Sequence, residues 1–367
     1  MKDQLSIIAF YLPQFHPTKN NDKWWGAGFT EWTNVGRAKP LFKGHDQPKV
    51  PADLGYYDLR IPEVREKQAQ LAREAGIGGF CYYHYWFDEH HQELDLPFNE
   101  VLHSGKPDFP FCLCWANESW HKKFWNPDGS FAKETLAEQK YEDARASEVH
   151  FYSLLAAFKD ERYIKVDGKP LFMIYKPLDF KNIDSFILQW NTLSRQNGFE
   201  GIHFVGHSYE PSDVDTIIGL GFDRVCMTRT WEPYRHKFNH NTIRGLVSRM
   251  IKRLLSIPFV IKYDESVKYL IGPESSREDV YPVIVPNWDH TPRSKKGGFV
   301  FHNSTPDKFK EHASDVISKV VTKKSNKIIF LKSWNEWGEG NYMEPDLKWG
   351  KAYIQSLRDA LKQKSDV

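Results

Sequence analysis

Residues 328–345, IIFLKSWNEWGEGNYMEP, join an apolar run to a polar segment that contains Glu336 and Glu339. The run 328–333 predicts a buried strand, and the two glutamates follow it directly, between tryptophans and glycines. Carboxylates at a strand end can simply bind nearby backbone. Paired carboxylates are also the groups that cleave glycosidic bonds, and aromatic side chains offer wide apolar faces to sugar rings. The surroundings of the pair therefore favour acid–base chemistry on a carbohydrate.

Similar apolar segments recur along the chain, with helical patterns between them. Strands are predicted at 5–12, 79–86, 111–117, 171–175, 202–206, 224–227, 283–286 and 328–333. Helices are predicted at 62–75, 143–158, 183–194, 213–220, 241–255, 307–321 and 351–361. Strands that alternate with helices form parallel βαβ units. Eight of them predict a (β/α)8 TIM barrel, which we expect to form a single catalytic domain over residues 1–367.

Polar and aromatic residues follow nearly every predicted strand, which is where such barrels place their active sites. The first strand leads into a long segment at 13–60, and irregular loops of that length usually carry function. Residues 82–86 alternate along a strand, and the sequence leaves open which half faces the barrel interior. The substrate-binding candidates are Tyr11, His16, Glu31, Trp32, Tyr83, His84, Trp86, Trp115, Asn117, Glu118, Trp288, Asn335 and Trp337.

Glu336 and Glu339 are the catalytic candidates. Two close carboxylates shift each other's pKa, which leaves one protonated and one ionised near neutral pH. Other candidates have plainer interpretations. Glu118 could be a loop carboxylate that binds backbone, and His84 could be a buried core histidine.

Composition limits the possible partners. The chain has 50 Lys plus Arg and 48 Asp plus Glu, so its net charge of +2 creates no field that would attract nucleic acid. Its 13 tryptophans, many beside polar residues, favour an oligosaccharide or polysaccharide partner. No apolar run approaches the ~18 residues of a membrane span and no signal peptide is visible, so we expect a cytoplasmic protein without membrane insertion.

Neither a metal nor a cofactor is expected. Asp88 to His91 are consecutive and lack metal-site spacing, and Asp213 and Asp215 resemble a D-x-D pair but also a helix start. The four cysteines lie in apolar runs and are expected to be free thiols. Residues 244–262 interleave basic and apolar side chains, which is typical of an outer barrel helix; a helix on a membrane surface is the alternative.

Six motifs carry a family resemblance: AFYLPQFHP from residue 9, GFTEWTNV from 28, QPKVPADLGYYDLR from 47, GFCYYHYWF from 79, CWANESW from 114 and WNEWGEGNYMEP from 334. With them the chain resembles the WbsX-like family, which is related to glycoside hydrolase family 99, the endo-α-mannosidase and endo-α-mannanase group. The resemblance implies a (β/α)8 barrel and a role in O-antigen, capsule or other surface glycans.

The resemblance also implies roles for Glu336 and Glu339. The first would act as a base on the 2-hydroxyl of the sugar, giving a 1,2-anhydro intermediate and retention, and the second would be the general acid and base. Gly338 departs from the pattern, because the mannosidases usually carry His there. Mannose specificity therefore does not follow.

Three functions agree with these features. The first is a retaining glycoside hydrolase or transglycosylase that acts on a bacterial surface polysaccharide. The second is a glycosyltransferase of lipopolysaccharide, O-antigen or capsule synthesis, a label that WbsX-like proteins often carry although the chain has no recognisable nucleotide-binding motif. The third is a glycan-binding protein on an inactive barrel. The sugar, the linkage and the oligomeric state stay open.

Overall fold

Eight parallel strands close into a barrel in the computed structural model, which describes residues 5–125, 131–141, 144–239, 242–255 and 257–365. The strands are β1 (Ser6–Tyr11), β2 (Gly79–Asp88), β3 (Phe111–Trp115), β4 (Lys169–Ile174), β5 (His203–Ser208), β6 (Arg224–Met227), β7 (Val280–Ile284) and β8 (Ile328–Leu331). Each pairs with the next, and β1 closes the barrel by pairing with both β8 and β2. The predicted (β/α)8 barrel is confirmed, with small differences at the strand ends.

Helices surround the barrel and fill several of its loops. They are α1 (Lys19–Trp25), α2 (Glu31–Arg37), α3 (Pro62–Ala75), α4 (Leu96–Ser104), α5 (Ala144–Lys159), α6 (Ile183–Gln196), α7 (Val214–Gly219), α8 (Glu232–Lys237), α9 (Ile243–Leu255), α10 (Tyr263–Leu270), α11 (Thr291–Ser294), α12 (Pro306–Val321) and α13 (Ala352–Ser365). The sequence predicts α3, α5, α6, α7, α9, α12 and α13. Two of the predicted starts, at 143 and 241, lie outside the described residues.

The sequence led us to expect an irregular loop at 13–60. The segment instead contains two helices, α1 and α2. Thr18 caps α1 by accepting a hydrogen bond from the Asn21 amide at 3.0 Å. Thr18 before KNNDKWW is a helix-capping signal that sequence reasoning missed, because it treated the whole segment as one loop.

Short strands decorate the barrel. Trp120–Trp125 pairs antiparallel with Phe131–Ala137, and Phe259–Lys262 pairs parallel with Phe299–His302. His91–Glu93 pairs with β2, and Lys165–Val166 pairs with β4.

Side chains of β1 alternate between the barrel interior and the surrounding helices. Phe10 points inward, with its ring centre 5.5 Å from that of Tyr83 and 5.4 Å from that of Phe330. Its neighbour Tyr11 points outward and donates to Gln68 of α3 at 2.7 Å. The interior is therefore packed, as in other barrels of this kind, and open space lies beyond the strand ends. No helix within the described ranges combines the length and the apolar character that crossing a bilayer requires.

Candidate active site

An open cavity of about 930 Å³ lies at the carboxyl ends of the barrel strands. Residues at or just after all eight strand ends contribute to its lining. The aromatic lining residues are Trp25, Phe29, Tyr83, Tyr85, Trp120, Tyr175, Tyr209, Trp231, Trp288 and Phe299. Among its charged residues are Glu31, Glu118, Glu336, Glu339, Arg37, Lys176, Arg293 and Lys332. The cavity thus combines apolar ring faces with acids and bases.

The loop after β8 places both catalytic candidates in this cavity. The chain turns back so that Asn335–Glu336 pairs antiparallel with Asn341–Tyr342. Ser333 Oγ donates to the Asn341 carbonyl at 2.7 Å and accepts from the Glu336 amide at 3.2 Å. The Glu339 carbonyl in turn accepts from the Asp289 amide at 2.7 Å. Backbone contacts therefore hold the segment in place before any ligand binds.

Lys332 is the cationic partner of Glu336. Its Nζ lies 3.3 Å from Glu336 Oε2 and donates to the Tyr83 hydroxyl at 3.1 Å. The ammonium is buried, but the two glutamates raise its pKa above the ordinary value in spite of burial, so it stays charged. Burial raises the pKa of Glu336; Lys332 opposes the shift, and the charge of Glu339 reinforces it.

Arg293 is the cationic partner of Glu339. Its Nη1 donates to Glu339 Oε1 at 2.5 Å, and His290 Nε2 lies 3.6 Å from the same oxygen. Burial alone would raise the pKa of Glu339, but Arg293, His290 and Lys332 outweigh burial and lower it. Of the two carboxyls, Glu336 therefore keeps its proton to higher pH and Glu339 ionises first. This order is the reverse of the one that the family resemblance implies.

Glu31 shares Arg293 with Glu339. Arg293 donates to the two Glu31 oxygens from Nε at 2.9 Å and from Nη2 at 3.0 Å. A Cβ atom added at Gly338 would lie only 1.8 Å from Glu31 Oε1. The Glu31–Arg293 pair therefore occupies the space that a side chain at 338 would need, and glycine fits this arrangement.

Four predicted substrate-binding residues line the cavity together with the catalytic candidates. They are Glu31, Tyr83, Glu118 and Trp288. Glu118 Oε1 lies 3.8 Å from Lys176 Nζ, and partial burial raises the pKa of Glu118. Trp288 is buried, and its ring centre lies 5.4 Å from that of Phe299.

Three predicted residues face away from the cavity because of strand alternation. Tyr83 and Tyr85 point inward, so His84 and Trp86 point toward the outer helices. His84 Nε2 lies 2.9 Å from His150 Nε2 of α5, and the Trp86 ring stacks on His150 with centres 4.4 Å apart. Trp115 joins the same cluster, 4.9 Å from His150. The substrate-binding predictions for His84, Trp86 and Trp115 are wrong: these side chains are core.

Two predicted asparagines tie backbone segments together and do not line the cavity. Asn117 accepts from the Lys176 amide at 2.7 Å and donates to the Lys176 carbonyl at 2.9 Å. Asn335 accepts from the Leu12 amide at 2.7 Å and donates to the Leu12 carbonyl at 3.0 Å. Both side chains are buried, with every amide group engaged by protein, so direct contact with a substrate is excluded.

Tyr11 and Trp337 lie behind the cavity, around a buried carboxyl that sequence reasoning missed. Trp337 Nε1 donates to Glu344 Oε2 at 2.6 Å, and Gln68, the partner of Tyr11, donates to Glu344 Oε1 at 2.7 Å. Tyr57 donates to Glu344 at 2.9 Å. Burial raises the pKa of Glu344 to about 7 against the hydrogen bonds that it accepts. The substrate-binding predictions for Tyr11 and Trp337 are therefore wrong.

Trp32 and His16 also lie outside the cavity. Trp32 donates to the Tyr57 carbonyl at 2.7 Å and packs on Trp337, with ring centres 5.5 Å apart. His16 is buried in the loop after β1, where burial lowers its pKa. Both residues support the first loop, because they are packed against protein.

Sequence reasoning missed the cations of the site and three of its tyrosines, Tyr85, Tyr175 and Tyr209. Lys332 could have been recognised from the sequence, because a lysine that directly follows an apolar strand lies at a strand end, where barrels place their active sites. Arg293 lies in α11, beside a lysine- and glycine-rich turn that resembles an ordinary surface loop. Tyr175 and Tyr209 follow β4 and β5, and their hydroxyls lie 2.6 Å apart.

The residues considered as metal ligands have other partners. His91 Nε2 lies 2.8 Å from Glu93, and Asp213 accepts from Ser208 at 2.7 Å. Within the ranges that the structure describes, no group of three or more His, Cys, Asp or Glu is placed to hold a metal ion.

Comparison with known proteins identifies the family. The family described as "Glycosyltransferase WbsX" matches residues 7–357. Two curated relatives, each called "Uncharacterized protein WxcX", come from two strains of Xanthomonas campestris pv. campestris and are 33% identical over 370 residues. The alignment covers 99% of this chain and 50% of each relative, so the chain spans about half the length of these relatives.

Solved structures show the same barrel. A GH99 endo-alpha-mannosidase from Bacteroides thetaiotaomicron has a TM-score of 0.57 at 15% identity, over 99% of both chains. A glycoside hydrolase-like protein has a TM-score of 0.62 at 14% identity, over 98% of this chain and 94% of the other. These likenesses concern the fold. The family match confirms the resemblance that the motifs carry: the chain belongs to the WbsX family.

Proposed function

We propose that the protein is a retaining glycoside hydrolase, or a transglycosylase with the same chemistry, that acts on a bacterial surface polysaccharide such as O-antigen or capsule. In this proposal residues 1–367 form a single catalytic domain. The observation that carries the proposal is that Glu336 and Glu339 line one aromatic cavity with pKa shifts of opposite direction. Glycosidic cleavage requires one proton donor and one ionised carboxylate.

The cations divide these roles between the two carboxyls. Glu339 is held ionised by Arg293 at 2.5 Å, whereas Glu336 Oε2 lies 3.3 Å from Lys332 and has no closer cationic partner among the described residues. Glu336 then donates a proton to the leaving oxygen as the glycosidic bond breaks, and Glu339 assists the new bond at the anomeric carbon, made by its own oxygen or by the 2-hydroxyl of the sugar. Water, or a sugar hydroxyl in transglycosylation, breaks that bond in a second step and gives its proton to Glu336. Lys332 is placed to stabilise the charge that Glu336 acquires as it loses its proton.

The aromatic lining supports a sugar substrate. Rings such as Trp120, Trp231 and Trp288 present apolar faces, while Tyr85, Tyr175 and Tyr209 add hydroxyl groups. Charged side chains within the same cavity can accept and donate hydrogen bonds to sugar hydroxyls. Retention and the surface-polysaccharide substrate rest on the family resemblance.

The test is a screen of defined surface glycans, with the anomeric configuration of the product followed by NMR. We expect turnover by the wild type with retention, and its loss in Glu336→Gln and Glu339→Gln while glycan binding persists. Glu311→Gln, an exposed glutamate of α12, is the matched control. Full activity of either active-site variant on a processed glycan would overturn the proposal.

The second candidate is a sugar-nucleotide-dependent glycosyltransferase, which the description of the matching family favours. Arg37, Lys176, Arg293 and Lys332 would supply the positive charge that a diphosphate needs. This candidate predicts calorimetric binding of a nucleoside diphosphate, with or without a divalent ion. Absence of binding to a panel of nucleoside diphosphates would eliminate it.

A further inference from the structure

Helix α9 (Ile243–Leu255) turns an apolar side toward solvent. Ile243 is 82% exposed, Met250 56% and Leu254 75%, and Leu246 and Val247 are exposed as well. Ile243, Met250 and Leu254 share one face of the helix with the adjacent pair Leu246 and Val247, because each step to the next level of the face is three or four residues. An ordinary outer barrel helix buries such a face. The expectation that this segment is an ordinary outer helix is therefore wrong.

The polar side of α9 contacts the protein instead. Arg249 Nη1 donates to the Phe238 carbonyl at 3.0 Å. Lys252 Nζ lies over the Phe259 ring, 3.8 Å from its centre. The helix is thus attached through basic side chains, and its apolar side is left without cover from the described residues.

The charge of the helix indicates what covers the apolar side. The segment 243–255 contains Arg244, Arg249, Lys252 and Arg253, and no acidic residue occurs anywhere in 239–263. A helix that combines an exposed apolar face with basic residues lies in the interface of a membrane and is attracted by anionic lipids. An apolar protein groove would bury the same face but would have no need for four basic residues.

The helix lies on the side of the barrel where the cavity opens. It belongs to the connection between the end of β6 and the start of β7. Its partner Phe259 begins a strand that pairs with Phe299–His302, and Phe299 lines the cavity. Phe259 also contacts Tyr234, whose ring lies 5.9 Å from that of Trp231, another lining residue. A surface that covers α9 would lie close to the cavity.

We propose that α9 docks on the surface of an anionic lipid bilayer. In this arrangement Ile243, Leu246, Val247, Met250 and Leu254 enter the headgroup region, and the net positive charge of the segment 239–263 attracts the anionic surface. The cavity is then held next to glycans that are carried on the membrane. The docking does not depend on the proposed hydrolase activity, and it is tested without any sugar.

The experiment is cosedimentation of the full chain with vesicles. One set contains phosphatidylglycerol and phosphatidylcholine in equal parts, and the other contains phosphatidylcholine alone. We expect binding to the anionic vesicles, weaker binding to the neutral ones, and loss of the difference at high salt. Met250→Glu/Leu254→Glu should weaken binding to anionic vesicles by about tenfold or more, because it places acids on the docking face.

The matched control is Leu188→Glu/Leu347→Glu, which changes two equally exposed leucines elsewhere, 69% and 71% exposed. It should bind anionic vesicles like the wild type. Circular dichroism tests whether each variant is folded. The proposal is overturned if the wild type does not bind anionic vesicles, or if the control variant loses as much binding as the α9 variant. It is also overturned if light scattering shows that the α9 face instead joins two copies of the chain.

Discussion

Arg293 lies between Glu31 and Glu339 and donates to Glu339 at 2.5 Å. The contact makes the ionisation of Glu339 depend on a residue that is 46 positions away in the chain. Arg293 itself is held by α11, which follows β7, so the seventh and eighth strand ends set the charge of the site together.

Arg293→Met should move the pH profile of activity. In the wild type Arg293 lowers the pKa of Glu339, so Glu339 stays ionised at acidic pH. Without the guanidinium the pKa of Glu339 rises, and the carboxylate forms only at higher pH. On a substrate from the glycan screen, the acidic limb of kcat/KM should shift to higher pH. Arg293→Lys, which keeps a positive charge, should shift less. An unmoved acidic limb in Arg293→Met would contradict the role of this contact.

The two glutamates should respond differently to the leaving group. If the resting order of ionisation carries into catalysis, Glu336→Gln keeps appreciable turnover of aryl glycosides whose phenol leaves without protonation, and Glu339→Gln does not. Rates with phenols of graded acidity measure this. The opposite pattern would restore the order that the family resemblance implies, with Glu339 as the acid.

Gly338→Ala should destabilise the fold and disturb the site. Its Cβ would lie 1.8 Å from Glu31 Oε1, so the Glu31–Arg293 pair must move. We expect a loss of about 1–3 kcal/mol in the free energy of unfolding, measured by urea denaturation. The cost should be smaller in a Glu31→Ala background, where the space is free. Equal costs in both backgrounds would rule out this clash as the cause.

Glu344 should make stability depend on pH. Its folded pKa of about 7 exceeds the ordinary 4.5, so the folded state binds the extra proton between these values. The free energy of unfolding should therefore fall as the pH rises from 4.5 to 7, by up to about 1.4 kcal/mol per pH unit from this group. Glu344→Gln should lack this pH dependence. Its free energy of unfolding should also be lower at every pH, because the amide has one oxygen where the carboxyl has two to accept hydrogen bonds. Parallel curves for the two proteins would refute the assignment.

The barrel could be predicted from sequence because its strands are buried on both faces. Such strands appear as short apolar runs, and all eight stand out between helical patterns. The placement of Glu336 and Glu339 beyond the strand ends could be predicted as well, since both directly follow the last run.

Much of the site could not be predicted, for physical reasons. Tyr83 and His84 are adjacent, and both are polar aromatic residues suited to binding a sugar. Only the way β2 packs in the barrel decides that one faces the cavity and the other α5. Trp32 and Trp337 look like sugar-stacking residues but pack on each other. Arg293 reaches Glu31 across 262 residues of sequence, which no local pattern records.

The Asn335 side chain holds Leu12 by two hydrogen bonds, at the seam where the first and last strands meet. The same residue directly precedes Glu336. The hydrogen bonds that link the first and last strands therefore also position the loop that carries Glu336 and Glu339. During synthesis, a chain whose last barrel strand has not yet left the ribosome has no closed barrel, and Glu336 and Glu339 are not yet in place. Assembly of the site would thus wait until the last barrel strand is free to pair.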